Sequence, residues 1–434
     1  MSNAAFTRIG SANTYDNALR NLSSRQSALV NLQENLTSGK RVVRASDDPT
    51  GAAQAERAQT RLERVKSDQR ALESQRNSIT AAEGTLGDVT SALQNFRELV
   101  VSAGNAAFSP AERRTVALQL SGLRDQIFAM SNRTDSNGQP LFSALGSALT
   151  PFVGPNAPPQ DYNFKGLPGQ TAATDVSIPF SLDGDAAFMN PVGQDSVYNV
   201  TLANNNSAIP TNRTLQTTNV AVKLPPNPQP NGSSYEIKIT GVDTSSTPGT
   251  TKVSYDITET PSGGGPATTT SVLPPASYPT ITTGDKAGTG SFAVTGMPGL
   301  DMTISGTPLV NDTVKVDNSP SLFSVLDDAI RDIGGAGNIN AAAQAVSQAL
   351  NNIDKGMERV SAVRGRAGDL LNRADTITSN QEKRSVQLEA DRSRAEDLDM
   401  IKGIADFQNQ QTGYSAALQS YAQVQKLSLF NFIS

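Results

Sequence analysis

Residues 79–103, ITAAEGTLGDVTSALQNFRELVVSA, place Ile79, Ala82, Leu86, Val89, Leu93, Phe96, Val100 and Ala103 at alternating steps of three and four. That spacing puts apolar side chains on one stripe of an α-helix and lets a second helix interlock with it. Val65 and Leu72 carry the seven-residue spacing upstream. The stripe begins after Asp47-Asp48-Pro49, where a carboxylate can cap a helix and a proline, lacking an N–H, suits the first helical position. One helix is therefore predicted from about Pro49 to Ala103. If unbroken it spans on the order of 80 Å, and a helix of that length needs a partner.

Further helices flank it. Ser109-Pro110-Ala111-Glu112 has the form of a capping box, and Val116, Leu120, Leu123, Ile127 and Met130 follow at helical spacing. Asn137-Gly138 is a strong hairpin-turn signal, which makes Leu141-Phe142 the expected start of extended structure. Upstream, Tyr15, Leu19, Leu22, Leu29 and Leu36 share a stripe interrupted by Gln26 and Gln33, and Gly39 ends it. Near the other end the seam returns in Val346, Leu350, Ile353, Met357, Val360, Ala367, Leu371 and Ala374, missing only at Arg364. Before it, Leu322, Leu326, Ile330 and Ile333 make a short helix, with Pro320 expected at its first position and Gly334-Gly335 at its end. After a charged stretch, Leu398, Ile401, Ile404 and Phe407, then Tyr414, Leu418, Tyr421 and Val424, resume the stripe.

Between these ends the chain is rich in Gly, Pro, Thr and Asn and alternates in period two: Tyr198, Val200 and Leu202, then Tyr235, Ile237 and Ile239. Val253-Tyr255-Ile257, Phe292-Val294, Met302-Ile304 and Val314-Val316 are further strands. The fold class is a multi-domain α+β protein: a long α-helical coiled-coil bundle from both chain ends, with an inserted β-rich, sandwich-like domain. The expected divisions are an N-terminal polymerisation helix and linker (1–46), the N-terminal half of the bundle (47–141), the β-rich outer domain (142–318), the C-terminal half of the bundle (319–390) and a C-terminal polymerisation helix (391–434).

Composition removes most chemistry. Among 434 residues there is no His and no Cys, hence no base of near-neutral pKa and no thiol nucleophile. The net charge of -5 is spread over both signs without a basic stripe for phosphates, and neither a Sec-type leader nor a membrane-length apolar run is read. Gly39-Lys40 fails as a phosphate loop because Glu34 and Arg41 stand where that motif needs Gly and Ser or Thr. Asp47-Asp48, Asp327-Asp328 and Asp397-Asp399 read as caps and solvated carboxylates. A non-enzymatic structural subunit without catalytic residues, metal or cofactor is expected, binding neither nucleic acid nor membrane. The apolar end, with Leu427, Leu429, Phe430, Phe432 and Ile433, needs cover by another subunit; Phe6 and Ile9 repeat that signal more weakly.

The stretch from Leu36 to Pro49, LTSGKRVVRASDDP, resembles the signature after the first helix in the family of flagellar hook-associated protein 3. Asn137-Gly138 before Leu141-Phe142-Ser143, residues 311–316 (NDTVKV) and Ser428-Leu429-Phe430 agree with it. Flagellins share the architecture but usually continue with Ala-Ala-Gly where this chain has Pro49-Thr50-Gly51. The N-terminus is longer than is typical of the family. The resemblance implies an adaptor at the hook-filament junction, secreted to the extracellular flagellum by the flagellar type III apparatus. Its partners would be hook-associated protein 1, flagellin, copies of itself in a ring and an export chaperone. It implies that Phe6 to Leu36 pairs with about Leu398 to Ile433 only in the assembly, so that Phe6, Ile9, Leu19, Leu22, Leu29, Leu36, Leu418, Tyr421, Leu427, Leu429, Phe430, Phe432 and Ile433 are assembly residues. Gly39, Lys40, Arg41, Asp47, Asp48 and Pro49 would form the linking signature loop. The alternatives are flagellin itself and a surface-exposed binding module.

Overall fold

The computed structural model describes residues 11–156, 161–191, 196–203, 215–223, 228–247, 249–262, 264–280 and 289–433; for 11–15 and 424–433 this is the helical backbone. The chain divides into two compact units, a terminal unit of Met1–Arg70 with Ile377–Ser434 and a central unit of Ala71–Thr376. Helices α2 (Pro49–Ala103) and α6 (Ile339–Glu396) supply residues to both.

In the central unit, the eight stripe residues from Ile79 to Ala103 all have 0% exposure. On α6, Ile353, Val360, Ala367 and Ala374, at seven-residue steps, are equally enclosed, whereas Leu350, Met357 and Leu371 are half-buried. Three ion pairs set the two helices antiparallel: Arg76–Asp375 at 3.4 Å, Arg364–Glu83 at 2.7 Å and Arg97–Asp354 at 2.9 Å. Exposed pairs of this kind contribute little energy, but they fix register. Arg364 interrupts the apolar stripe because it reaches across to Glu83.

Helix α3 (Pro110–Ser131) opens with the expected capping box, the Glu112 amide donating to Ser109 Oγ at 3.3 Å and the Ser109 amide to Glu112 Oε2 at 2.6 Å. It packs on α5 (Leu322–Gly334). The cap of α5 is Ser321, whose hydroxyl accepts from the Ser324 amide at 3.0 Å, so Pro320 precedes the helix rather than starting it. A hydroxyl can close a helix end and a pyrrolidine ring cannot.

The Asn137-Gly138 turn forms, with Gly138 at φ +77° and its amide donating to Asp135 O at 3.0 Å. Leu141 and Phe142 do not begin a strand, contrary to expectation; they sit buried in a turn. Aromatic packing outweighs extension there. Phe142 meets Phe188, which joins Phe152 and Phe323, and Phe323 in turn contacts Phe128 and Tyr162, with centroids 5.1–5.6 Å apart. Between 142 and 191 the described structure is a two-stranded ribbon, β1 (Phe152–Val153) with β2 (Asn163–Phe164), and the short α4 (Gly184–Phe188). None of these joins the sheets that follow.

Among the described residues, one sheet orders β3 (Tyr198–Ala203), β12 (Thr313–Asn318), β6 (Ser234–Asp243), β7 (Thr250–Thr260) and β8 (Thr268–Ser271), with β9 (Ala276–Pro279) also on β7. The other orders β10 (Gly290–Val294), β11 (Leu300–Gly306) and β4 (Leu215–Thr217), with β5 (Ala221–Val222) on β11. All these pairings are antiparallel. Ile237, Ile239, Val253 and Tyr255 from the first and Phe292, Val294, Met302 and Ile304 from the second share one core, the interdigitation that defines a sandwich. Its mount on α6 is polar. Gln344 donates to Thr217 Oγ1 at 2.7 Å and accepts from the Thr217 amide at 3.0 Å, while Gln348 and Asn352 both donate to Tyr198 O, at 3.3 and 3.0 Å. The i, i+4, i+8 spacing puts all three amides on one helix face.

In the terminal unit, α1 (Ser11–Ser38) packs against α7 (Met400–Ile433). The pairing expected only in the assembled state is therefore present within the single chain, because each stripe covers part of the other. Leu62 and Val65 of α2 enclose a small core with Leu388 of α6.

Candidate functional site

The signature stretch builds a clasp. Gly39 stops α1 with φ +71°, a left-handed conformation that glycine adopts without steric cost. The chain then runs beside the α6–α7 junction. The Arg41 and Val42 amides donate to Glu396 O at 2.7 and 3.3 Å, and the Leu398 amide donates to Gly39 O at 2.9 Å. Lys40 forms an ion pair with Glu396. Arg41 reaches Asp48 Oδ2 at 3.1 Å and Ala395 O at 2.8 Å, and Val42 is buried beneath. The two inter-helix breaks of the terminal unit thus hold each other.

Asp48 caps α2. Its Oδ1 accepts from the Thr50 and Gly51 amides at 3.1 and 3.0 Å and from the Thr50 hydroxyl at 2.8 Å. The Gly51 amide, with Thr50 and Arg41, holds its carboxyl down to about 2. Pro49 follows as the first helical residue. A Cβ on Gly51 would stand 2.6 Å from Asp48 Oδ2 and 3.2 Å from Ala395 O, so a larger residue two positions after the proline would displace the capping carboxylate. Asp47 accepts from the Arg44 amide at 2.8 Å, and Arg44 pairs with Glu34 at 2.7 Å. All six signature residues therefore shape one turn, and none presents reactive chemistry.

The terminal helices leave apolar groups uncovered. Leu22, Leu29 and Leu36 are half-buried, and Leu36 approaches Gly403 of α7. Leu19 stays 42% exposed, Val30 57% and Ile401 85%, with Ile404 and Leu418 also exposed and Tyr421 half-buried. Leu427, Leu429, Phe430, Phe432 and Ile433 continue α7, their side chains lying outside the described residues, as do Phe6 and Ile9 altogether. The sequence reading missed the clasp partner at Glu396–Leu398. A signal was present in the pairing of Lys40-Arg41 with Glu396-Asp397, opposite charges at the two helix breaks.

Residues 9–146 match the profile of the bacterial flagellin N-terminal helical region, and residues 350–433 that of the bacterial flagellin C-terminal helical region. The chain is 32% identical over 153 residues to flagellar hook-associated protein 3 of Salmonella typhimurium, covering 33% of this chain and 46% of that protein. It is 33% identical over 146 residues to flagellar hook-associated protein 3 of Escherichia coli, covering 32% and 44%. To flagellin of Bacillus subtilis it is 35% identical over 127 residues, covering 29% and 42%. The chain thus spans somewhat under half the length of these curated relatives. Among solved structures, hook-associated protein-3 of Legionella pneumophila aligns at a TM-score of 0.54 over 77% of this chain and 97% of that one, at 20% identity. FlgL of Xanthomonas campestris aligns at 0.52 over 76% and 99%, also at 20% identity. Both likenesses are of fold.

Proposed function

We propose that this chain, which belongs to the flagellin superfamily, is a structural subunit of the bacterial flagellum that joins hook to filament. The observation that carries this reading is the incomplete burial of the α1–α7 pair, with Leu19, Val30 and Ile401 open to solvent. Exposed apolar surface of this kind is covered when subunits associate. The assembly residues are those of the sequence reading, Leu19, Leu22, Leu29, Leu36, Leu418 and Tyr421 among them, and the clasp at Gly39–Pro49 holds the paired helices for packing. Copies of the chain form a ring between hook-associated protein 1 and the first flagellin subunits. The chain reaches that place through the flagellar type III apparatus with an export chaperone, and it acts as an adaptor and not as an enzyme.

Pro49 and the likeness to two proteins named hook-associated protein 3 favour the junction over the filament. The match to a flagellin keeps a second reading, a filament subunit, in play. Deleting the gene in its host and viewing the flagella by electron microscopy separates the two. Hooks without filaments, with flagellin lost to the medium, are expected. Hooks that still carry filaments would refute the junction role, and a purified chain that polymerises alone into long filaments would point to flagellin.

A further inference from the structure

We infer that the groove between α2 and α6 in the terminal unit docks the acidic face of α6 from the central unit of a second copy of this chain. The inference rests on the axial-subunit reading and names one surface by which neighbouring copies meet.

The groove has a volume of about 340 Å³ and is lined by Gln54, Arg57, Arg61, Asp391 and Arg394 around a floor of Ala58, Leu388 and Ala395. Arg57 and Arg61 stand one helical turn apart, exposed, and neither makes an ion pair among the described residues. Arg394 is tied to Asp391, its neighbour one turn earlier. With Asp391 balancing Arg394, the guanidinium groups of Arg57 and Arg61 leave the groove basic, and beside a buried apolar floor such planar forks can receive carboxylates by paired donation.

Charge complementarity selects the occupant. The terminal unit carries 17 basic against 14 acidic residues, and the central unit 19 against 27. The acidic unit of one copy is therefore attracted to the basic unit of another. On α6, Glu358, Ala362, Gly365 and Asp369 follow four-three-four steps, which set them on one face. All four are exposed, and among the described residues neither Glu358 nor Asp369 has an ion-pair partner. A Cβ on Gly365 would meet nothing within 4 Å, so the middle of this face is open to a neighbour. Small residues between two free carboxylates permit close approach to the groove, with Arg366 at its edge. Complementarity of this sort sets partner and register more than raw affinity.

The test is charge reversal in a deletion strain carrying the gene in trans. Arg57→Glu with Arg61→Glu is expected to lower the number of filamented hooks by about tenfold or more. Adding Glu358→Arg and Asp369→Arg is expected to restore filaments by re-forming the contact with reversed sign. Filamentation by the double reversal at the wild-type level would overturn the inference, as would failure of the fourfold variant to recover. A second measurement uses the absence of cysteine in the native chain. Arg61→Cys combined with Asp369→Cys should give disulfide-linked dimers on oxidation of isolated flagella, and their absence would also overturn it. If the deletion strain carrying no copy of the gene still bears filaments, the junction reading itself falls.

Discussion

The stripe of α2 in the central unit and the stripe of α1 in the terminal unit are written in the same three-and-four spacing, yet they end in different surroundings. Ile79 to Ala103 reach complete burial inside one chain. On α1, Leu22, Leu29 and Leu36 stop at half-burial, and Leu19 remains open. The difference lies in what surrounds each helix. Within the central unit α2 meets α6 across a register set by three ion pairs and also meets the turn after α3, through Arg133–Asp88 at 2.9 Å and Ser78–Asp135 at 2.7 Å. Among the described residues, by contrast, the element that packs closely on α1 is α7, and one neighbour covers only one side of a helix. Periodicity reports that a helix will pack; it does not report whether the packing is finished within the subunit.

The largest effect expected is at the closed stripe. Phe96→Ala should cost the central unit about 3–5 kcal/mol, through lost transfer energy and the cavity left behind, read as a lower denaturation midpoint. Next comes a response to acid of opposite sign in the two units. Asp327 and Asp328 are not the solvated carboxylates the sequence suggested: α5 packs on α3, Asp327 is buried and Asp328 half-buried. Burial pushes the Asp328 carboxyl up to about 6 despite Arg331 and the Ser319 hydroxyl at 2.6 Å. In the unfolded chain it titrates near 4, so the fold binds the proton more tightly. Central-unit stability should then fall, by on the order of 2 kcal/mol, as pH rises from about 4 to 6, and Asp328→Asn should flatten that slope. Asp48, held down to about 2, acts the other way: its contribution is present above about pH 4 and is lost as pH falls towards 2. Hydrogen exchange along the two halves of α2 during acid titration would resolve both. Ser109→Ala, which removes half of a capping box, should cost about 1 kcal/mol, seen as faster exchange in the first turn of α3.

The smallest effect on the monomer is the most telling. Ile401→Ala should change its stability by less than about 0.5 kcal/mol while reducing incorporation into the flagellum, measured by immunoblot of sheared filaments. A loss of monomer stability comparable to that of Phe96→Ala would show that the two stripes do not differ after all.

The helices were legible because their signals are local. Pro49, Gly39 and the Ser109–Glu112 box each mark a helix end by backbone chemistry within a few residues, and the seam residues declare a face by spacing alone. The sandwich strands were legible through alternation, which at Tyr235, Ile237 and Ile239 matches the buried side. Leu141-Phe142 was misread because its partners, Phe188 and the aromatic group around Phe323, lie far along the chain. The polar mount was illegible for the same reason: Gln344, Gln348 and Asn352 look like solvated helix residues until the backbone of Tyr198 arrives. At the assembly surface the apolar content could be read, but not the hold of Gly39–Val42 on Glu396–Leu398, which depends on two breaks in separate helices coming together.

That hold limits how the terminal helices can move. A chain leaving a bundle by two independent linkers would let each end helix swing on its own. Here the connection into α1 and the connection into α7 are bonded to each other by the Arg41, Val42 and Leu398 amides and by the Lys40–Glu396 pair. The two helices consequently share one pivot, and a displacement of either connection is carried to the other.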